Sequence, residues 1–316
     1  MPTIIPSARV LQMISPITLV KKLKHTLNRV GLIDEKLDQV KVNQGRILAT
    51  LNAGRTSTNL QDYEFKVFSQ WGEDGILQHL TQIVPIAHRN FIEFGVEDFF
   101  ESNCRYLMTK DNWQGFVIDG SAANIARMKS APFYWQHQLN AIEAFVTRDN
   151  INELLAKSGF GPDLGILSID LDGNDFHVLQ AITGFTPRIL VCEYNAVFGP
   201  IRALTVPYRP DFQRSKAHSS HLYWGASLAA MTLLARQRGY SLVGTNSAGN
   251  NAFYLRNDLV TDRFQVLSAE QAYAPSSYRE SRDPHGHLSF EPAHRQLQLL
   301  QGLPVVDVET GREERL

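Results

Sequence analysis

Two stretches of this chain place carboxylates where carboxylates are costly. Leu167-Ser168-Ile169-Asp170-Leu171-Asp172-Gly173-Asn174-Asp175 runs from apolar residues into three acids, and Val191-Cys192-Glu193-Tyr194-Asn195 ends another apolar run in an acid and an amide. Negative charge at the rim of a buried layer must be met by a cation or by hydrogen-bond donors. Asp170, Glu193 and Asn195 together offer hard oxygen ligands of the kind Mg²⁺ takes. Asp172 and Asp175 also suit the start of the following helix, where a carboxylate caps free N–H groups.

A second pair of signals lies upstream. Phe91-Ile92-Glu93-Phe94-Gly95-Val96-Glu97-Asp98 is an apolar run closed by a glycine, and Asp119 ends Phe116-Val117-Ile118-Asp119, 24 residues beyond Gly95. A glycine there lets a nucleotide-like ligand approach the backbone, and an acid roughly 20 residues on can accept hydrogen bonds from both ribose hydroxyls. A dinucleotide fold would show G-x-G-x-x-G, and the lone Gly95 argues against NAD. His218 and His221, in Ala217-His218-Ser219-Ser220-His221, precede a helix and are candidate general bases near neutral pH. Gly244 to Asn251 is rich in turn formers and amides, either a wide hairpin connection or a polar wall for a polyol.

Such residues need a scaffold that gathers them. Strand-like segments are expected at Asn90–Phe94, Gly115–Asp119, Tyr134–Leu139, Gly165–Asp170, Arg188–Glu193, Tyr240–Gly244 and Ala252–Arg256, with helices at Gly75–Ile83, Asn103–Lys110, Ala122–Lys129, Ile151–Ser158, Asp175–Ile182 and Ala226–Arg238. That alternation is the signature of an α/β fold with a parallel sheet, whose ligands gather beyond the carboxyl ends of the strands. Three regions follow: a helical extension and linker over 1–60, the α/β domain over 61–259, and a loop-rich extension over 260–316. In the first, Ile33, Leu37, Val40, Gln44, Ile47 and Leu51 fall on one helical stripe, suited to self-association or to packing on the body.

Hydrophobic residues make up 43% of the chain and charged ones 20%, an ordinary globular balance. A formal charge of −1 argues against a dedicated nucleic-acid binder. Two cysteines and the lack of a secretory signal point to a reduced, cytoplasmic setting. Lys21, Lys22, Lys24 and His25 follow a moderately apolar start, which also suits peripheral attachment to a membrane surface.

Taken together, Ser69-Gln70-Trp71-Gly72-Glu73-Asp74-Gly75-Ile76, the Phe91–Asp98 segment with Glu101-Ser102-Asn103, the acid at Asp119 and the run Asp170–Asp175 resemble the FkbM-type S-adenosylmethionine (SAM) methyltransferases over roughly residues 64–256. The resemblance implies a Rossmann-like methyltransferase sheet ending in an inserted antiparallel strand, and O-methylation of a sugar, glycan or natural product. By position it implies that Glu93 and Gly95 contact the methionine part of SAM, Asp119 its ribose and Asn140 the neighbourhood of its adenine. Gln70, Ser102, Asn103 and Asp172 would line the cofactor cleft. The metal-dependent members place their ligands where Asp170, Glu193 and Asn195 stand. Glu97 departs from the pattern by replacing a second glycine, which keeps open an alternative: a non-catalytic binding or assembly protein on the same fold.

Overall fold

A computed structural model describes residues 16–277 and 280–316, with the backbone alone for residues 16–20 and 23–32. The expectations placed on residues 1–15 and on the side chains of Lys24 and His25 lie outside the described residues. The chain divides into two compact units, Met1–Asn43 and Gln44–Leu316. One helix, Pro16–Ala53, runs through the first unit and ends in the second. Its expected stripe faces solvent, with Ile33, Leu37, Val40, Ile47 and Leu51 between 50% and 66% exposed. Within the second unit the helix uses its other side, where a Cβ added at Gly45 would come 2.6 Å from Val67 and 2.8 Å from Tyr106. Small residues make that contact, so a search for large apolar side chains points to the wrong face. No described helix is long and apolar enough to cross a membrane.

The strands are β1 (Asn90–Phe94), β2 (Gln114–Asp119), β3 (Leu139–Glu143), β4 (Ile166–Ile169), β5 (Ile189–Glu193), β6 (Leu204–Thr205), β7 (Tyr240–Thr245), β8 (Asn251–Arg256), β9 (Pro304–Asp307) and β10 (Arg312–Arg315). Seven form one sheet in the order β3-β2-β1-β4-β5-β8-β7. The first five are parallel, and β8 is inserted antiparallel between β5 and β7. This is the Rossmann-like sheet expected, with its closing hairpin. Helices on both faces bury it, so the central strands are apolar at nearly every position. Side chains alternate between two cores: Ile92, Leu190 and Cys192 enter one, Phe91, Ile189 and Val191 the other.

One strand was expected in the wrong place. Residues Pro132–Gln136 form a short helix, for which Pro132 at the first position is preorganised, and β3 starts only at Leu139. The C-terminal extension also carries more order than its composition suggests. Strands β9 and β10 join β6 in a second, three-stranded sheet, over a small core of Phe198, Leu204, Phe212, Trp224, Leu300 and Val305.

The segment before the first sheet strand is held by one buried carboxylate. Asp74 Oδ2 accepts hydrogen bonds from the N–H groups of Val67, Phe68 and Ser69, each at 2.7 Å, and from the Ser69 hydroxyl at 2.9 Å. Burial outweighs these donors and pushes its pKa up from 3.8 to about 6. A raised folded pKa means stability that is complete below 3.8 and is lost as pH rises through about 6. The loss is on the order of 3 kcal/mol. Asp74→Asn keeps an acceptor oxygen for the donors and cannot ionise. We expect urea midpoints of the wild type to fall over that interval relative to those of the variant, whose cost is independent of pH across it.

Candidate functional site

The sheet order reverses between β1 and β4, and a cavity of about 530 Å³ opens there beyond the carboxyl ends of the strands. That volume is typical of small-molecule sites. The turn after β1 and the tip of β4 meet at Gly95, whose φ is +66°. A Cβ at this position would lie 1.8 Å from the Asp170 carbonyl oxygen. The glycine is therefore demanded by its protein neighbour as well as by backbone conformation. Two positions on, Glu97 is held at φ +48° without that freedom, a conformation that costs a β-carbon-bearing residue about 1 kcal/mol. Its N–H donates to Asp119 Oδ2 at 2.9 Å.

Of the residues singled out above, the cavity wall brings together Gln70, Glu93, Gly95, Ser102, Asn103, Asp119, Asp170, Asp172 and Glu193. Several hold the wall itself. Glu93 accepts from the Ser102 hydroxyl at 2.7 Å, the Asn103 N–H at 2.8 Å and the Cys104 N–H at 3.2 Å, fixing the entry to the helix Arg105–Asp111. Burial raises the Glu93 pKa, and these donors oppose the rise. Asp119 Oδ1 accepts from the Ser121 N–H at 2.8 Å and from Asn124 at 3.2 Å. Asp175 takes the N–H groups of Leu171 and Gly173 at 2.8 and 3.0 Å, shaping the turn ahead of its own helix.

Asp170 and Glu193 are in a different situation. Their carboxyl groups lie within hydrogen-bond reach of each other, and burial, reinforced by neighbouring carboxylates, drives both pKa values well up. Two carboxyls so placed titrate as a unit. Glu193 is 6% exposed. Nearby, Asn251 and Asn174 also line the cavity, and the Oδ1 of each is buried with no donor. Their amide orientations are fixed by the other end: Asn251 Nδ2 donates to Glu73 at 3.0 Å and Asn174 Nδ2 to the Arg209 carbonyl at 2.8 Å.

Three assignments are corrected. Asn195 is spent on structure: its amide donates to the Leu222 and Trp224 carbonyls and accepts from the Val197 N–H. It has no part in the cavity wall. Among the described residues no group of three His, Cys, Asp or Glu side chains is placed to hold a metal ion. Asn140 lies inside β3 rather than beyond it, and the wall there is made by Ala144, Phe145 and Val146. His218 is away from the wall, its Nδ1 engaged by Ser220 at 2.7 Å and its pKa lowered by burial. His221 lines an adjoining hollow shared with Asp172 and Arg214.

Sequence reasoning missed other members. Glu73 is fully buried and accepts from Asn246 at 2.7 Å, Asn251 at 3.0 Å, and the N–H groups of Trp71 and Gly72. It ties the Gln70-Trp71 turn to the β7–β8 hairpin across the cavity. Arg214 donates to the His221 carbonyl at 2.6 Å, to Asp172 at 3.2 Å and to Glu280 at 3.4 Å. Phe212 packs where a Cβ on Gly173 would be 2.2 Å from its ring. The Asn-rich turn did carry a signal for Asn250 and Asn251; nothing local marks Glu280.

The chain matches no protein-family model and no curated protein sequence. Among solved structures it is similar to the O-methyltransferase from Bacillus cereus in complex with SAH, at 13% identity over 68% of this chain and 89% of that one, TM-score 0.39. It is also similar to the N-terminal domain of EvdMO1 with SAH bound (8% identity, 60% and 80%, TM-score 0.37). The third is TrmK of M. capricolum with S-adenosyl-homocysteine (9%, 57% and 67%, TM-score 0.35).

The Gly95 contact sets a test of the wall. Gly95→Ala is expected to destabilise the protein by about 2–4 kcal/mol, because strain at positive φ adds to overpacking against a carbonyl. Urea unfolding measures this, and a loss under about 0.5 kcal/mol, the range of ordinary surface changes, contradicts the tight approach.

Proposed function

We propose that this protein is a cytoplasmic SAM-dependent O-methyltransferase acting on a hydroxyl of a sugar, glycan or natural-product acceptor. The observation that carries the proposal is the acid-walled cavity at the reversal of strand order, with Asp119 at the tip of β2 and the Asp170–Glu193 pair at the tips of β4 and β5. The donor set suits the cofactor's chemistry. Ribose hydroxyls and an ammonium are hydrogen-bond donors and a sulfonium is a cation, and the wall offers acceptor oxygens. A pyrophosphate would meet repulsion there. When bound, SAM supplies the methyl group.

The chain's residues would orient the acceptor and manage its proton. A hydroxyl beside Asp170 and Glu193 can donate to the ionised pair, which removes its proton as the oxygen becomes a nucleophile. A base whose pKa is raised toward the working pH accepts that proton more readily. Gln70 and Trp71, tied down through Glu73, flank the opening. With Asn195 engaged elsewhere, Asp170 and Glu193 are what remains of the expected Mg²⁺ ligands, and no step is routed through a metal.

Calorimetric titration with SAH tests the reading directly, and folded protein that binds neither SAH nor SAM refutes it. If Asp170 is the base, Asp170→Asn lowers kcat by about 100-fold or more. The pH profile carries a further signature. Both carboxyls have raised pKa values, so kcat/KM is expected to rise with pH as the pair ionises. Asp172→Asn removes a negative neighbour that opposes ionisation of both carboxyls. The rising limb then moves to lower pH, and an unmoved limb excludes the pair.

A second reading, a binding protein on the methyltransferase fold without catalysis, is favoured by one observation. Glu97 lines the cavity at a left-handed position where a glycine would leave room. On that reading Glu97→Gly raises SAH affinity from undetectable to measurable. On the catalytic reading the wild type already binds.

A further inference from the structure

The electrical balance of the cavity is lopsided. Carboxyl groups line it on every side, from Glu93, Glu97 and Glu101 to Asp119, Asp170 and Glu193, while Arg214 is the one basic side chain among the described residues of its wall. Arg214 is paired with Asp172 and Glu280 at the rim, and its charge only partly offsets that of Glu193, whose pKa stays well up. The carboxyls do not share one fate. Glu93 and Asp119 are each met by three donors from the protein. Asp170 is relieved by a hydrogen bond with Glu193, and Glu193 only by the charge of Arg214.

An independent observation marks the same end of the cavity. Asn251, paired in register with Glu193 across β5 and β8, is 3% exposed, and its Oδ1 has no donor. Asn174, also 3% exposed, leaves its Oδ1 in the same condition beyond β4. Both are oxygens by the logic of their partners, since the amide nitrogens face a carboxylate and a carbonyl. A buried acceptor without a donor costs about 1–3 kcal/mol. This region is therefore short of donors, and Arg214 is the one basic group in the wall that acts on it.

We propose that the end of the cavity formed by Asp170, Glu193, Asn174 and Asn251 binds an ammonium group on the acceptor, so that the acceptor is an amine-bearing sugar or polyol and anionic acceptors are excluded. This rests on the methyltransferase reading for the word acceptor; the binding of an amine does not. A protonated amine brings three N–H donors and one charge to a place short of both. It also favours ionisation of the carboxyl pair, the form able to take a proton from a neighbouring hydroxyl. Phosphorylated, sulfated or carboxylated acceptors would meet repulsion from the carboxyl pair.

The test compares three molecules with one ring: glucosamine, glucose and glucuronate, titrated near neutral pH in amine-free buffers, with and without saturating SAH. Glucosamine is expected to bind at least about tenfold more tightly than glucose, with glucuronate weakest. Its binding should release protons, which appears as a dependence of the measured heat on buffer ionisation enthalpy. Glu193→Gln should abolish both the preference and the proton release while the circular dichroism spectrum stays unchanged. Should that variant fail to fold, the proton release of the wild type decides alone. Equal affinity for the three sugars, or no binding of any, overturns the proposal. So does displacement of glucosamine by SAH, because the site would then belong to the cofactor's own ammonium. Failure to bind SAH with glucosamine preference intact refutes the methyltransferase reading and leaves the amine site standing.

Discussion

A turn and a strand tip approach so closely at Gly95 and the Asp170 carbonyl that a single methyl group does not fit between them. That contact joins the ends of β1 and β4, the two strands between which the sheet order reverses. The carboxyls that follow those strands and their neighbours are consequently gathered round one hollow. Packing forces the charges together, and the chemistry of the site follows from how each charge is then relieved.

Relief comes in two forms. Glu93, Asp119, Asp175, Asp74 and Glu73 receive backbone N–H groups, hydroxyls or amides, and in return they fix the loops that supply those donors. These acids are structural: each closes a turn that would otherwise leave polar backbone exposed in a buried place. Asp170 and Glu193 receive no such set: each carboxyl lies close to the other, and the pair titrates as a unit. The distinction separates acids that build the wall from acids left able to act on something within it.

The rim depends on parts of the chain remote in sequence. Arg214 enters through the loop around Phe212, which packs into the small core shared with Leu300 and Val305. Glu280 reaches the same guanidinium from the C-terminal extension. A segment whose composition reads as loose thereby closes one side of the cavity, and Glu73 closes the other by tying the Trp71 turn to the β7–β8 hairpin.

Alternation of apolar runs and amphipathic stretches was enough, by itself, to point to the parallel sheet and the acids at its strand ends, while the antiparallel closing strand was implied by the family resemblance. Those signals are local: a strand buried on both faces must be apolar, and polar residues can return only where it ends. Position along the chain says nothing about which polar atoms are satisfied. Asn195 and Asn251 look alike as residues at strand tips, yet one amide is consumed by three backbone partners and the other retains a bare oxygen. Asn140 shifted out of the site because Pro132 starts a helix and delays β3, and the large apolar stripe from Ile33 to Leu51 faces solvent because Gly45 permits a closer contact on the opposite side. Hydrogen-bond satisfaction and close packing are settled by neighbours distant in sequence, so only the tertiary structure could decide them.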